Sequence, residues 1–157
     1  HTRANVAYFG TFGYELDLNK LSYEEISEVK QQIAFMKEYR ELIQFGTFYR
    51  LKSPFEGNET AWMTVSEDKK TALVFWYRER NVVNADFTRV RLQGLDPDFI
   101  YRNEYNGTEN YGDELMNLGL LTTDCTAGEP TSEDAPCTDY ESRIYVLTTV
   151  ARIPSPL

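Results

Sequence analysis

Residues 22–43 constrain this chain more than any other stretch. Ser22 is followed three positions later by Glu25, the pairing of a capping box. In it the serine hydroxyl accepts from the Glu25 amide and the glutamate reaches back to the Ser22 amide. Leu21 precedes the cap, as a hydrophobic staple requires. Ile26, Val29, Ile33 and Met36 then recur at helical spacing, and Phe35, Tyr39 and Ile43 widen the stripe. Glu24, Glu25 and Glu28 crowd the positive end of the dipole, while Lys37 and Arg40 lie toward the negative end. The pattern predicts an amphipathic helix over 22–43, with Gly46 as its stop.

On either side of that helix the chain has different characters. Gly10 and Gly13 punctuate an aromatic-rich stretch in which Thr11–Leu16 reads as a short buried strand. Residues 2–9 suit either the end of a helix or another strand. Element, strand, helix is the unit of a parallel α/β fold. After Gly46, short β-rich runs alternate with turn signals. Ala61–Val65 leads into the polar turn 66–70, then Ala72–Tyr77, Thr88–Leu92, the turn Asp96-Pro97-Asp98, Phe99–Glu104 and Ser142–Val150. This spacing predicts an antiparallel sandwich or barrel-like sheet, with a boundary near residues 44–50. Thr123–Asp139 reads as an exposed loop. The chain opens at His1 without Met and enters an apolar stretch at once, so it is expected to be a processed protein or a piece of a longer one.

Composition excludes much chemistry. The only imidazole among 157 residues is His1, a poor candidate for the fixed base of a Ser-His-Asp or Cys-His triad. One His and two Cys do not suit a zinc site built from several such ligands. No phosphate-cradling glycine motif is present, and no cofactor is expected. A formal net charge of −9 argues against nucleic acid as a partner. No apolar run approaches the ~20 residues of a membrane helix. With no visible leader, the expected location is cytoplasmic.

The remaining candidates each carry two readings. Cys125 and Cys137 enclose 11 residues; they are either a disulfide, which would contribute roughly 3 kcal/mol if unstrained, or two free thiols in a reducing compartment. A disulfide would point to secretion instead. Asn58-Glu59-Thr60 and Asn106-Gly107-Thr108 match the N-glycosylation pattern, which short sequences match by chance. Asp113-Glu114 and the Asp96/Asp98 pair are acids of the kind glycosidases use, but such pairs more often serve turns. Asp96-Pro97-Asp98 lacks the run of oxygen ligands a Ca²⁺ site needs. Trp62, Trp76 and Tyr77 suit either a sugar-binding face or a core. Phe75 and Tyr77 opposite Trp76 predict a strand covered on both faces.

Three stretches together resemble a known family. They are Phe9-Gly10-Thr11-Phe12-Gly13-Tyr14-Glu15-Leu16-Asp17-Leu18, then Arg40–Gly46 continuing through Phe48–Leu51 to Ser53–Glu59, and Tyr111–Asn117 followed by Gly119-Leu120. In this order they are similar to the carboxy-terminal end of bacterial-type α-galactosidases of glycoside hydrolase family 36, from about Thr2 to Leu121 and again in the last strand. Arg78–Asp86 and the cysteine loop depart from the family pattern. The resemblance implies an α+β fold: residues 1–45 as the last strand and helix of a catalytic (β/α)8 barrel, and residues 46–157 as an antiparallel β-sandwich domain. Residues 1–10 would end the seventh barrel helix, and 11–17 would be the eighth strand.

The implied function is that of a retaining α-galactosidase acting on melibiose- and raffinose-type α-galactosides through two aspartates. Both aspartates would lie upstream, so no catalytic, substrate-binding or metal residue is assigned here, and the chain alone is expected to be inactive. Glu15 and Asp17 would sit near the active face of the barrel, with a structural role preferred. The implied partner is the remainder of the parent enzyme, itself a homo-oligomer. The alternative is a stand-alone carbohydrate-binding β module with a helical extension, which predicts a shallow groove lined by exposed Trp or Tyr.

Overall fold

An unbroken apolar run such as Ala72-Leu73-Val74-Phe75-Trp76 suits a strand covered on both faces, and all of these residues are 0% exposed. The structure, a computed structural model, describes residues 2–81, 87–122 and 139–152. Helices α1 (Thr2–Ala7) and α2 (Tyr23–Phe45) precede strands β1 (Thr47–Lys52), β2 (Glu59–Val65) and β3 (Thr71–Arg78). Then follow β4 (Arg89–Val90), β5 (Phe99–Asn103), β6 (Glu109–Tyr111), helix α3 (Gly112–Asn117), β7 (Leu120–Leu121) and β8 (Glu141–Arg152). The main sheet has the order β1-β2-β3-β8-β5-β6, and every pairing in it is antiparallel. β4 and β7 form a separate two-stranded ribbon.

The two-residue period of β3 divides the core. Ala72, Val74 and Trp76 join Met63, Val65, Tyr145 and Leu147 on one face, beneath Val90, Leu92, Leu95, Leu115 and Leu120. The ribbon, the turn after it and α3 therefore form the second layer. The strand spacing predicts an antiparallel sandwich or barrel-like sheet; the sheet is antiparallel, and among the described residues the layer over this face is a short ribbon, with β4 and β7 two residues each, completed by a helix. On the other face, Leu73 and Phe75 meet Tyr8, Met36 and Ile43, with Phe9, Phe12, Phe35, Tyr39 and Leu42 packed around them. The helical layer thus lies across β2, β3 and β8.

Helix α2 follows its local signals. The Ser22 hydroxyl accepts from the Glu25 amide at 3.2 Å, and the Glu25 carboxylate accepts from the Ser22 amide at 2.8 Å. Gly46 ends it, donating its amide to the Leu42 carbonyl at 2.9 Å. Its φ of −66° is ordinary, so the glycine serves space rather than a left-handed turn. A Cβ there would lie 2.5 Å from the Leu42 carbonyl and 2.9 Å from that of Val65. The sharp passage from α2 into β1 needs a residue without a side chain.

One expected element is absent. Thr11–Leu16 forms no strand, and residues 2–9, left open in sequence, are largely the helix α1. A parallel strand needs a neighbour to share its backbone hydrogen bonds, and no strand among the described residues flanks this stretch. Its aromatic residues turn toward the helices instead. Phe12 stacks on Tyr8 with centroids 5.0 Å apart, and the Tyr14 hydroxyl donates to Gln32 Oε1.

Candidate functional site

The paired acids are engaged in local structure. Asp96 Oδ1 accepts from the Asp98 amide at 3.0 Å, the Asx turn that proline at position 97 favours. The Asp96 amide donates to the Tyr101 hydroxyl at 3.0 Å, and that hydroxyl donates to the Lys69 carbonyl at 2.7 Å. The turn is thereby anchored to the β2–β3 turn. Gly112 packs on it so tightly that a Cβ would fall 2.0 Å from the Asp96 carbonyl oxygen. Asp113, exposed, and Glu114, half-buried, stand in the first turn of α3, where carboxylates favour the positive helix end. Asp113 Oδ1 accepts from the Glu114 amide at 2.7 Å. Asp17 caps a 3₁₀ turn at Leu18–Lys20, accepting from the Asn19 amide at 3.0 Å. Glu15 is exposed.

The aromatic residues divide between core and groove. Trp76 is fully buried. Trp62 is half-buried, 4.7 Å from Tyr77 and 5.4 Å edge-on from Phe9 between ring centroids. The Tyr77 hydroxyl donates to the Asn5 carbonyl at 2.7 Å, tying α1 to the sheet, and burial pushes its pKa well above the usual value. An apolar groove of about 710 Å³ runs along β1, lined by Phe9, Phe48, Phe55 and Trp62 together with Arg50 and Glu56. Phe55 is 94% exposed beside it.

An ionic cluster went unread in the sequence. The Glu141 carboxylate bridges the guanidinium groups of Arg78 and Arg143 at the β3–β8 border. Both guanidiniums stack on the Trp76 ring, 5.4 and 5.8 Å from its centroid. The strand register pairs Arg78 directly with Glu141, which only the non-local pairing reveals. The two sequons differ. Asn58 locks onto the Arg80 backbone, accepting from its amide at 2.9 Å and donating to its carbonyl. Asn106 is exposed in the β5–β6 turn. Cys125 and Cys137 lie outside the described residues. Among the described residues no group of three His, Cys, Asp or Glu could hold a metal ion, and no helix is long and apolar enough to cross a membrane.

Comparison with known proteins adds what the side chains do not carry. Residues 59–147 match the model of the glycosyl hydrolase family 36 C-terminal domain, and residues 1–46 match the Melibiase model. The chain belongs to glycosyl hydrolase family 36. Its relatives in that family include the α-galactosidase AgaA of Geobacillus stearothermophilus, 53% identical over 119 residues, covering 76% of this chain and 16% of that protein. The bifunctional α-galactosidase/sucrose kinase AgaSK of Mediterraneibacter gnavus is 43% identical over 120 residues, again 76% of this chain and 13% of that one. The chain thus spans about one sixth or less of these relatives.

Among solved structures, the α-galactosidase of Lactobacillus brevis superposes with a TM-score of 0.85 at 38% identity, over 99% of this chain and 20% of that one. The crystal structure of AgaA superposes with a TM-score of 0.81 at 44% identity, over 94% and 19%. The antiparallel sheet and its α+β setting are therefore those of the family.

Proposed function

We propose that this chain is the carboxy-terminal portion of a retaining α-galactosidase that hydrolyses terminal α-galactosides of the melibiose and raffinose type. Residues 1–45 end the catalytic (β/α)8 barrel, and residues 46–157 form the β domain packed against it. The observation that carries this reading is a coincidence of borders. The Melibiase match stops at residue 46, where Gly46 ends α2 and the chain enters β1. Thr11–Leu16, without a strand neighbour among the described residues, would gain one in the barrel wall. The catalytic aspartates lie in the preceding barrel, and this chain contributes structure. The parent is a cytoplasmic homo-oligomer, or an exported one if Cys125 and Cys137 are bridged.

Two assays test the reading. Purified alone, the chain is expected to give no turnover of an aryl α-galactoside above a heat-killed control; turnover by the chain alone overturns the structural role. Expressed together with the preceding barrel of its own gene, it is expected to yield active, soluble enzyme. An upstream reading frame without a barrel rules out the parent. The stand-alone carbohydrate-binding reading is not favoured, because Trp76 is buried and Trp62 packs against Phe9 and Tyr77; calorimetry with raffinose is expected to show no heat of binding.

A further inference from the structure

Asn106-Gly107 is the only Asn-Gly step in the sequence, and it lies exposed at the turn between β5 and β6. Three features of that turn bear on the Asn106 side-chain amide. Its Oδ1 accepts two hydrogen bonds, from the Thr108 amide at 3.1 Å and the Thr108 hydroxyl at 2.8 Å. Donors aimed at an amide oxygen polarise its carbonyl and stabilise the oxyanion that forms when a nucleophile adds, as in an oxyanion hole. The next backbone nitrogen belongs to a glycine, so no Cβ hinders its approach to Asn106 Cγ. Finally, the space around Gly107 is open: a Cβ placed there would meet nothing within 4 Å.

We propose that Asn106 is a site of spontaneous deamidation, activated by Thr108. The Gly107 nitrogen attacks Asn106 Cγ, a new N–Cγ bond forms, and the Cγ–Nδ2 bond breaks. Nδ2 leaves as ammonia, with the proton lost by the Gly107 amide reaching it through solvent. Water then opens the five-membered imide at either carbonyl, giving aspartate or isoaspartate. The Gly107 amide donates to the Asn103 carbonyl at 2.7 Å, so this bond must open first. The internal comparison is Asn58, whose amide is held at both ends by the Arg80 backbone and whose next residue, Glu59, carries a side chain. Isoaspartate would insert a backbone carbon into the turn that supports the edge strand β6, and either product adds a negative charge.

The test is incubation of the folded chain at mildly alkaline pH, followed by peptide mapping for the mass gain and for isoaspartate. Asn106 is expected to convert about tenfold faster than Asn58, on the ground that the nucleophile is already adjacent and unhindered. Thr108→Val, which removes the hydroxyl donor and keeps the amide, is expected to slow conversion by about threefold, the scale of one exposed hydrogen bond. Gly107→Ala is expected to slow it further. An intact Asn106 in the folded chain, while a synthetic peptide of residues 103–110 converts, would mean that the turn protects the amide and would overturn the proposal. A Thr108→Val rate equal to that of the parent sequence would overturn activation by Thr108.

Discussion

Val74 and Trp76 point to one side of β3 and Leu73 and Phe75 to the other, and all are equally buried. What covers them differs. Over the first face, Val90, Leu92, Leu95, Leu115 and Leu120 are themselves buried, so this part of the chain closes its own core. Over the second face, Phe9, Phe12, Phe35, Tyr39 and Leu42 are only partly buried, and Val6, Leu16 and Leu18 are 51%, 44% and 55% exposed. The β half closes its core on this face, while Phe55 and Leu118 stay 94% and 62% exposed elsewhere on it. The helical layer seals the sheet beneath it but leaves apolar surface on its outer side, as the edge of a larger body would.

The contrast can be broken most severely at Trp76. Trp76→Ala removes the largest fully buried side chain among the described residues and the platform on which Arg78 and Arg143 stack. It is expected to cost about 3–5 kcal/mol, read as a lowered denaturation midpoint. On the other side, Met36→Ala is expected to cost about 2 kcal/mol, near the low end of such truncations, because the loosely covered helical layer can relax. Equal losses at the two sites would erase the distinction between the faces. Ser22→Ala removes the acceptor for the Glu25 amide and is expected to cost about 1 kcal/mol. Its effect should appear as faster amide exchange in the first turn of α2, with β3 and β8 unchanged.

A pH titration probes the same layer without mutation. Burial, with help from neighbouring Tyr14 and Glu28, pushes the Tyr8 hydroxyl up to about 12, and burial with Glu38 does the same for Tyr39. The folded state therefore holds these protons more tightly than the unfolded chain. Their contribution is fully present below pH 10 and is lost as pH rises from there toward 12. Stability and the near-ultraviolet tyrosine signal should change together in that window. No tyrosine ionisation above pH 10 linked to unfolding would show that the helical layer does not bury these rings.

Much of the fold was legible because its signals are local. The capping box of α2 is a pair of hydrogen bonds across three residues, and the apolar run of β3 reports its own double burial. The turns at 66–70 and 96–98 announce themselves through side chains that bond their own backbone. The site was less legible for a physical reason: the paired acids looked like chemistry in sequence, and only their hydrogen bonds show them serving turns and helix ends. Helix α3 was missed although its residues carried part of the family resemblance. Its place depends on Gly112 fitting against Asp96, a contact between segments 16 residues apart.

The sequence by itself determined α2 and its cap, the strand-and-turn rhythm after Gly46, the inside and outside of β3, and membership of the family. Each of these rests on residues close together in the chain or on a pattern carried along it. Only the tertiary structure decided that Thr11–Leu16 forms no strand, since a strand exists through its neighbours. It also decided that the second layer is a ribbon and a helix, and that Gly46 is needed for space between Leu42 and Val65. The joining of Arg78, Glu141 and Arg143 around Trp76 likewise depends on antiparallel register, because partners more than 60 residues apart have no local bond through which the sequence could announce them.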